Sequence, residues 1–162
     1  MNQPIATTVI PSPMGPLRAA ATERGISQLE FTDRPKAAPH SPVTNPHLKT
    51  LRAELDRYFA GKLREFTVPV DPSGTAFRER VWTELGGIPY GETISYKELA
   101  SRVGNKKASR AVGGANGANA VCILIPCHRV IAADGSLGGY SAGLRRKERL
   151  LALEREGVLP PK

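Results

Sequence analysis

The tetrapeptide DPSG (71–74) separates two parts of the chain that have different hydrophobic patterns. Before it, the short runs ATTVI (6–10) and GISQLEF (25–31) are typical of strands. After it, apolar residues recur at helical spacing. A chain of 162 residues can form one compact domain, or two small ones that share an interface. The pattern predicts two lobes, one at 1–72 that contains the strands and one at 73–162 that is helical.

Turn and loop signals surround the predicted strands. The segment PSPMGPL (11–17) is typical of a turn between strands. Residues 34–46 contain four prolines and are predicted to form a loop. The run FTVPV (66–70) is a candidate for one more strand.

One helix is predicted in the first lobe. Its N-cap is Asn45, its first helical residue is Pro46, and Gly61 ends it. Its apolar stripe follows helical spacing and consists of Leu48, Leu51, Leu55, Tyr58 and Phe59.

Three apolar stripes predict helices in the second lobe. The first stripe is Phe77, Val81, Trp82 and Leu85. The next two share the spacing i, i+3, i+4, i+7, and they are Tyr96, Leu99, Ala100 and Val103, then Ala108, Ala111, Val112 and Ala115. Gly104 and Asn105 separate these two short helices, which together predict a helix-turn-helix.

The positive charge of the chain is concentrated near this helix-turn-helix. The net charge is +8, and residues 97–110 contain five basic residues against the single acid Glu98. A clustered basic patch is the usual electrostatic footprint of nucleic-acid binding, and a solvated basic surface is the alternative. On the second helix, Lys107, Arg110 and Gly114 fall on one face, next to a run of small residues. Small residues allow close approach either to a partner or to the protein's own core.

The segment VCILIPCHRVI (121–131) reads as an apolar strand broken by Pro126, which would present Cys127 at a strand end. A thiol attacks as the thiolate, and an imidazole such as that of His128 can take its proton, through a water if the two side chains point apart. Arg129 adds positive potential that favours the thiolate. The alternative is a buried structural cysteine.

A third group should orient the imidazole. Leu144, Glu148 and Leu151 share one face of the last predicted helix, and a buried acid needs a partner. Glu148 is therefore the predicted partner of His128. The alternative is a rim position in which Glu148 pairs with a basic neighbour, Arg145 or Lys147.

Metal ligands and targeting signals are not apparent in the sequence. The two cysteines and three histidines lack the spaced pairs of a structural zinc site, and Cys122 reads as a small core residue. No apolar run is long enough to span a bilayer, and the first residues do not resemble a signal peptide. We expect a cytoplasmic protein whose cysteines stay reduced.

Four stretches together resemble the O6-alkylguanine-DNA alkyltransferase family, the methylated-DNA–protein-cysteine methyltransferases. They are FRERVWTELGGIPYGETISYKELA, ASRAVGGANGAN, ILIPCHRVI and GYSAGLRRKERLLALE, in order over about residues 76–154. The first lobe matches through SPMGPL and through its order of sheet and then helix. The resemblance implies a two-lobed α+β protein, with a ribonuclease-H-like N-terminal sheet lobe and a C-terminal helical lobe that has a winged-helix-like helix-turn-helix.

The resemblance also implies an activity: irreversible, single-turnover transfer of an alkyl group from O6 of guanine, and from O4 of thymine, to Cys127. No cofactor and no metal are expected. The expected partner is double-stranded DNA that carries alkylated bases, bound through its minor groove with the damaged base flipped out. We expect a monomer, and cooperative binding along DNA stays open.

Roles in the chemistry follow from the same resemblance. Cys127 matches the nucleophile, His128 the water-relayed base and Glu148 the orienting acid. Asn119 matches the residue that braces the turn near the cysteine. Tyr96 matches the residue that presses on a backbone phosphate and donates a proton to the leaving guanine.

Roles in binding follow in the same way. Arg110 matches the finger that fills the space left by the flipped base, and Lys107, Ala111 and Gly113 are expected at the DNA. The pocket for the base is expected to involve Trp82 and the closing loop with Tyr140 and Ser141. The backbone carbonyls of Val130 and Cys127 are expected to accept hydrogen bonds from the guanine amino group.

Three positions depart from the family pattern. Ala120 stands where the family has proline, Ala142 replaces a glycine and is expected to narrow the pocket, and Asn116 replaces an apolar residue of some relatives. Three other functions remain as alternatives: a lesion-binding relative without transfer, a winged-helix regulator and a cysteine hydrolase. The first lacks the cysteine, the second leaves Pro126-Cys127-His128-Arg129 unexplained, and the third would turn over without a stable adduct.

Overall fold

The computed structural model describes residues 3–33 and 44–161, so most of the predicted loop at 34–46 lies outside the described residues. The first lobe contains an antiparallel sheet of order β1-β2-β3, formed by β1 (Ala6–Ile10), β2 (Leu17–Ala21) and β3 (Ile26–Phe31). The predicted strands β1 and β3 are confirmed. Residues 1–33 are predicted to be β, but the run LRAAA of β2 does not stand out as a separate strand, because alanine has little strand preference and the run does not alternate.

Helix α1 (Pro46–Phe59) forms as predicted, and it packs on this sheet. The side chain of Asn45 caps it by accepting a hydrogen bond from the Leu48 amide at 3.1 Å, and Pro46 occupies its first turn. The apolar stripe is buried throughout, which couples the helix to the core of the lobe.

The predicted strand at 66–70 is wrong, because only Val70 makes a bridge, to Ile26. Side-chain hydrogen bonds take the place of a ladder. The buried carboxylate of Glu54 accepts from the Thr67 amide and hydroxyl and from the Val68 amide, at 2.9–3.0 Å. The end of the segment also meets β3, where the Ile26 amide donates to the Pro69 carbonyl at 2.8 Å and the Asp71 amide donates to the Ile26 carbonyl at 2.7 Å. Both α1 and β3 therefore hold this segment.

The second lobe is helical, as predicted. Its helices are α2 (Ala76–Gly86), α3 (Tyr96–Arg102), α4 (Ser109–Gly117) and α5 (Leu144–Glu156). The helix-turn-helix is formed by α3 and α4, and Gly104 turns the chain between them at a φ of 93°. Strands β4 (Ile94–Ser95) and β5 (Val130–Ile131) make a short parallel pair. Within residues 3–33 and 44–161, no helix has the length and apolar content of a membrane span.

The segment before Cys127 is a turn and not the predicted strand. Residues 122–124 turn, and a 3₁₀ helix, Cys127–Arg129, follows Pro126. Only Val121 bridges to the sheet: the Leu29 amide donates to the Ala120 carbonyl at 2.8 Å, and the Cys122 amide donates to the Leu29 carbonyl at 2.9 Å. Strand β3 therefore anchors the cysteine segment of the second lobe to the first lobe.

A close contact between two glycines also joins the lobes, and it gives a test of the fold. Gly61 has a φ of 75°, and a Cβ placed there would lie 2.0 Å from the Gly157 carbonyl oxygen. We expect Gly61→Ala to lower the unfolding free energy by at least about 1–3 kcal/mol, measured by urea denaturation. The control is Gly86→Ala at the end of α2, where nothing lies within 4 Å and the change should be neutral or stabilising. Equal effects of the two variants would contradict this account.

Candidate active site

Cys127 lies at the floor of a small cavity of about 160 Å³ between α4 and the loop before α5. The cysteine is 3% exposed, so the cavity is the way to its thiol. Burial raises the pKa of the Cys127 thiol above its ordinary value, while the Asn119 side chain and the Lys147 ammonium oppose the shift. The site thus holds a thiol that needs a base to become a thiolate.

Two asparagines hold the cysteine segment in place. Asn119 donates from Nδ2 to the Ile125 carbonyl at 2.7 Å and accepts from the Val121 amide at 3.0 Å, so it braces the turn as expected. The neighbouring Ala120 is held through its carbonyl on β3. Asn116, buried on α4, donates to the Cys127 carbonyl at 3.3 Å. The backbone on both sides of the thiol is therefore fixed by side chains.

The acid that binds His128 is Glu154, and the prediction of Glu148 is wrong. His128 Nε2 lies 2.7 Å from Glu154 Oε2, and both side chains are buried. Glu148 and Leu144 are exposed, which agrees with the rim alternative for Glu148. The buried face of α5 has a different phase, because Lys147, Leu150, Leu151 and Glu154 follow i, i+3, i+4, i+7. The same spacing is present in the sequence. Two of its four residues are charged, so it does not stand out as an apolar stripe.

A cluster of buried donors surrounds the Glu154 carboxylate. Arg129 donates from Nε to Oε1 at 2.8 Å and from Nη2 to Oε2 at 3.0 Å, and its Nη1 donates to the Ile88 carbonyl at 2.7 Å. Tyr58, from α1, donates its hydroxyl to Oε2 at 2.6 Å. Burial alone would raise the pKa of Glu154, but His128 and Arg129 hold it well below its usual range. Glu154 is therefore an anion. From its place in the apolar stripe of α1, Tyr58 is predicted only to be a core residue.

The protonation of His128 follows from this arrangement. An ionised carboxylate only accepts hydrogen bonds, so Nε2 of His128 carries a proton. Burial lowers the pKa of the imidazole, and the cations Arg129 and Lys147 lower it further, although Glu154 opposes them. The ring is thus neutral, and its buried Nδ1 has no hydrogen-bond partner among the described residues. Nδ1 is free to take a proton.

Lys147 is a second charged residue that sequence reasoning missed as part of the site. Its ammonium is buried and donates to the carbonyls of Val130 at 2.6 Å, Leu137 at 2.5 Å and Gly139 at 3.0 Å. It therefore ties the loop before α5 to β5. Burial lowers the pKa of Lys147 from 10.5 to about 8, and Cys127 opposes the shift. The Val130 carbonyl, which is expected to accept a hydrogen bond from the guanine amino group, already accepts one from Lys147.

The cavity walls come from α4 and from the loop. The residues that line it are Tyr96, Gly113, Asn116, Gly117, Cys127, Gly139, Tyr140 and Ser141. The Tyr96 ring lies close to Gly138, where an added Cβ would be 3.0 Å from the ring and hydroxyl. On α4, Gly113 and Gly117 line the cavity and make room for it because they have no side chains. Val112 and Ala115 of the same helix pack in the core.

Trp82 and Ala142, both expected at the pocket, are not among its lining residues. The buried indole of Trp82 packs behind α4 and donates to the Ala115 carbonyl at 2.9 Å, because α2 approaches α4 from the core side. The Ala142 carbonyl accepts from Arg146 at 3.3 Å. Both predictions are therefore corrected.

The basic residues near the helix-turn-helix are exposed. Arg110 and Ala111 lie on the exposed side of α4. Lys106 and Lys107 are also exposed, but they lie in the turn before α4, which begins at Ser109, so Lys107 is not on the helix face as predicted. In the part of the chain that the structure describes, no three His, Cys, Asp or Glu side chains cluster as metal ligands would.

The buried Glu154 cluster gives a first test of the site. We expect Glu154→Gln to lower the unfolding free energy by roughly 3–5 kcal/mol, because Arg129 then stays buried without its counter-charge. Glu148→Gln makes the same chemical change on the exposed side of α5 and should stay within about 0.5 kcal/mol. Urea denaturation at neutral pH measures both. If Glu148→Gln lost more unfolding free energy than Glu154→Gln, the assignment of Glu154 as the partner of His128 would be contradicted.

The lowered pKa of Lys147 gives a second test. Between pH about 8 and 10.5 the unfolded chain keeps a proton on Lys147 that the folded chain has released, so this group makes folding more favourable as pH rises. The unfolding free energy of wild type minus that of Lys147→Met should rise over this window, by up to roughly 3 kcal/mol. The exposed control Lys106→Met should give a flat difference across the same pH range, and a flat curve for Lys147→Met would refute the prediction.

Comparisons with known proteins agree with the fold. Residues 5–72 match the ribonuclease-like domain of 6-O-methylguanine DNA methyltransferase, and residues 76–156 match its DNA binding domain. Methylated-DNA–protein-cysteine methyltransferases of Methanosarcina acetivorans and Mycobacterium leprae are each 46% identical to the chain, over 90% and 91% of it and over 96% and 91% of their own lengths. The OGT of Mycobacterium tuberculosis, solved in complex with DNA, superposes with a TM-score of 0.83 at 43% identity and covers 93% of this chain and 92% of its own. The chain belongs to the methylated-DNA–protein-cysteine methyltransferase family.

Proposed function

We propose that Cys127 is the residue that accepts the alkyl group, from O6 of guanine and from O4 of thymine. The chain is a DNA-repair methyltransferase that transfers alkyl groups from methylated DNA to a cysteine. Of its two cysteines, Cys127 lines the cavity and Cys122 does not. The observation that carries the proposal is the buried thiol at the cavity floor, followed in the chain by a neutral imidazole whose Nδ1 is free.

The proposed step is a single displacement. His128 Nδ1 takes the thiol proton, through a water because adjacent side chains point apart, and Glu154 holds the imidazolium that forms. The thiolate sulfur forms a bond to the alkyl carbon, the bond from that carbon to the base oxygen breaks, and its electron pair leaves with the base. Tyr96 gives a proton to the leaving guanine, and the imidazolium of His128 then releases its proton through solvent to the Tyr96 phenolate, which restores both groups. The products are S-alkylcysteine and the repaired base, so no cofactor enters.

The position of Tyr96 supports its role as the proton donor. Its ring lines the same cavity as Cys127. Burial raises the pKa of the Tyr96 hydroxyl, so the group holds its proton at neutral pH until negative charge develops on the base. Asn119 braces the cysteine turn, and Tyr140 and Ser141 close the cavity over the base.

Binding of DNA is proposed through the exposed face of the helix-turn-helix. Arg110 is exposed next to the cavity wall of α4 and would fill the space that the flipped base leaves, with Ala111 and Gly113 against the minor groove. Lys107, in the preceding turn, would contact a phosphate. We place the protein on double-stranded DNA as a monomer in the cytoplasm, where both thiols stay reduced.

Intact mass spectrometry tests the acceptor. The protein is incubated with one equivalent of duplex DNA that carries O6-methylguanine, and peptide mapping locates the adduct. We expect a gain of one methylene on Cys127, its loss in Cys127→Ser because a serine hydroxyl ionises far less than a thiol, and its retention in Cys122→Ser. An adduct on Cys122, or repair of excess DNA without any adduct, would refute the assignment.

A further inference from the structure

Tyr58 is the part of the Glu154 cluster that the proposed chemistry leaves unused. It belongs to α1 in the first lobe, whereas Cys127, His128 and Glu154 all belong to the second lobe. Its hydroxyl lies 2.6 Å from Glu154 Oε2, the same oxygen that lies 2.7 Å from His128 Nε2. One carboxylate oxygen is therefore shared between a phenol from one lobe and the imidazole of the other.

The Tyr58 side chain has little freedom to leave this position. It is fully buried, and its ring packs against Phe59 and Phe66 with centroids 5.4 Å apart, and edge-on against Tyr90 at 6.3 Å. An aromatic core of this kind would be satisfied by phenylalanine. The hydroxyl adds a charge-assisted hydrogen bond, which is among the stronger kinds of hydrogen bond and is fixed in direction by the packed ring.

We propose that Tyr58 is a positioning residue of the proton relay: its hydroxyl shares Glu154 Oε2 with His128 and so sets how strongly the carboxylate holds the imidazole. A donor on that oxygen spreads the negative charge that would otherwise stabilise the imidazolium. Tyr58 thus keeps His128 neutral and ready to take the thiol proton. The inference rests on the proposed role of His128 as the base, and it gives the first lobe a part in the chemistry of the second.

Other charges face the same groups and stay unchanged when the hydroxyl is removed. His128 also faces the Lys147 ammonium and the Arg129 guanidinium, and Glu154 also faces the Arg129 guanidinium and the Tyr90 phenol. Arg129 makes two hydrogen bonds to the carboxylate whether or not Tyr58 donates. A change in the pKa of His128 when the Tyr58 hydroxyl is removed would therefore come from the Tyr58 contact itself.

The test is an NMR pH titration of His128 in the full chain without DNA, with ¹⁵N-labelled histidine. Tyr58→Phe retains the ring and should raise the pKa of His128 by about 0.5–1 unit. The matched control is Tyr90→Phe, because the Tyr90 hydroxyl donates to the Leu153 carbonyl at 3.4 Å and makes no hydrogen bond to Glu154. It should leave the pKa of His128 in place.

Transfer kinetics provide a second readout. The acidic limb of the pH–rate profile of Tyr58→Phe should move up by the same amount, so that transfer below that limb is about threefold to tenfold slower than in wild type. A purely structural role would lower stability or slow transfer equally at all pH values. Fluorotyrosine at position 58 is a stronger donor and should move the pKa of His128 down, which keeps the test valid even if Tyr58→Phe unfolds.

An unchanged pKa of His128 in both position-58 variants overturns the inference, whatever happens to stability. The NMR titration does not depend on alkyl transfer, so the two proposals fail separately. An adduct on a residue other than Cys127 would refute the proposed acceptor and leave the coupling of Tyr58 to His128 intact. An adduct on Cys127 together with an unchanged pKa of His128 would support the proposed acceptor and refute the coupling of Tyr58 to His128.

Discussion

The Glu154 carboxylate is the interaction on which the rest of the site depends. It is a buried anion that binds His128 and Arg129 from the 3₁₀ helix, Tyr58 from α1 and, through Arg129, the segment that follows α2 at Ile88. A buried charge is tolerated only when it is paired and hydrogen-bonded. Because its partners come from both lobes, Glu154 fixes the 3₁₀ helix that carries Cys127 relative to both lobes, and it fixes the tautomer of the imidazole.

The thiol itself is placed by backbone and amide contacts rather than by a regular element. Pro126 ends any pairing, Val121 makes one bridge to β3, and Asn119 and Asn116 bind the carbonyls before and at the cysteine. A turn of this kind can aim a side chain into a cavity. The first lobe is therefore part of the site, although none of its residues lines the cavity among those that the structure describes.

Two basic residues on α5, Arg146 and Lys147, connect the loop that lines the cavity to its surroundings. Lys147 holds three carbonyls from β5 and the loop, and Arg146 reaches from the Ala142 carbonyl to Asp33 at 2.9 Å, with its guanidinium over the Phe31 ring at 4.7 Å. The lowered pKa of Lys147 shows the cost of burying that charge. The loop that carries Tyr140 and Ser141 is thus held by both lobes, and its order depends on their packing.

The sequence by itself determined the two-lobe order, the helices and the segments that carry Cys127 and His128. Repeating apolar spacing and the Asn45 cap are local signals, and the match of PCHR with its flanks is specific. Only the tertiary structure decided which acid meets His128. Glu148 and Glu154 lie on the same helix, and the choice depends on the phase with which α5 packs, which brings Lys147 and Glu154 inward. The strand β2, the turn at 122–124 and the contact of Tyr58 depend on partners distant in the chain, and for that physical reason no local pattern could predict them.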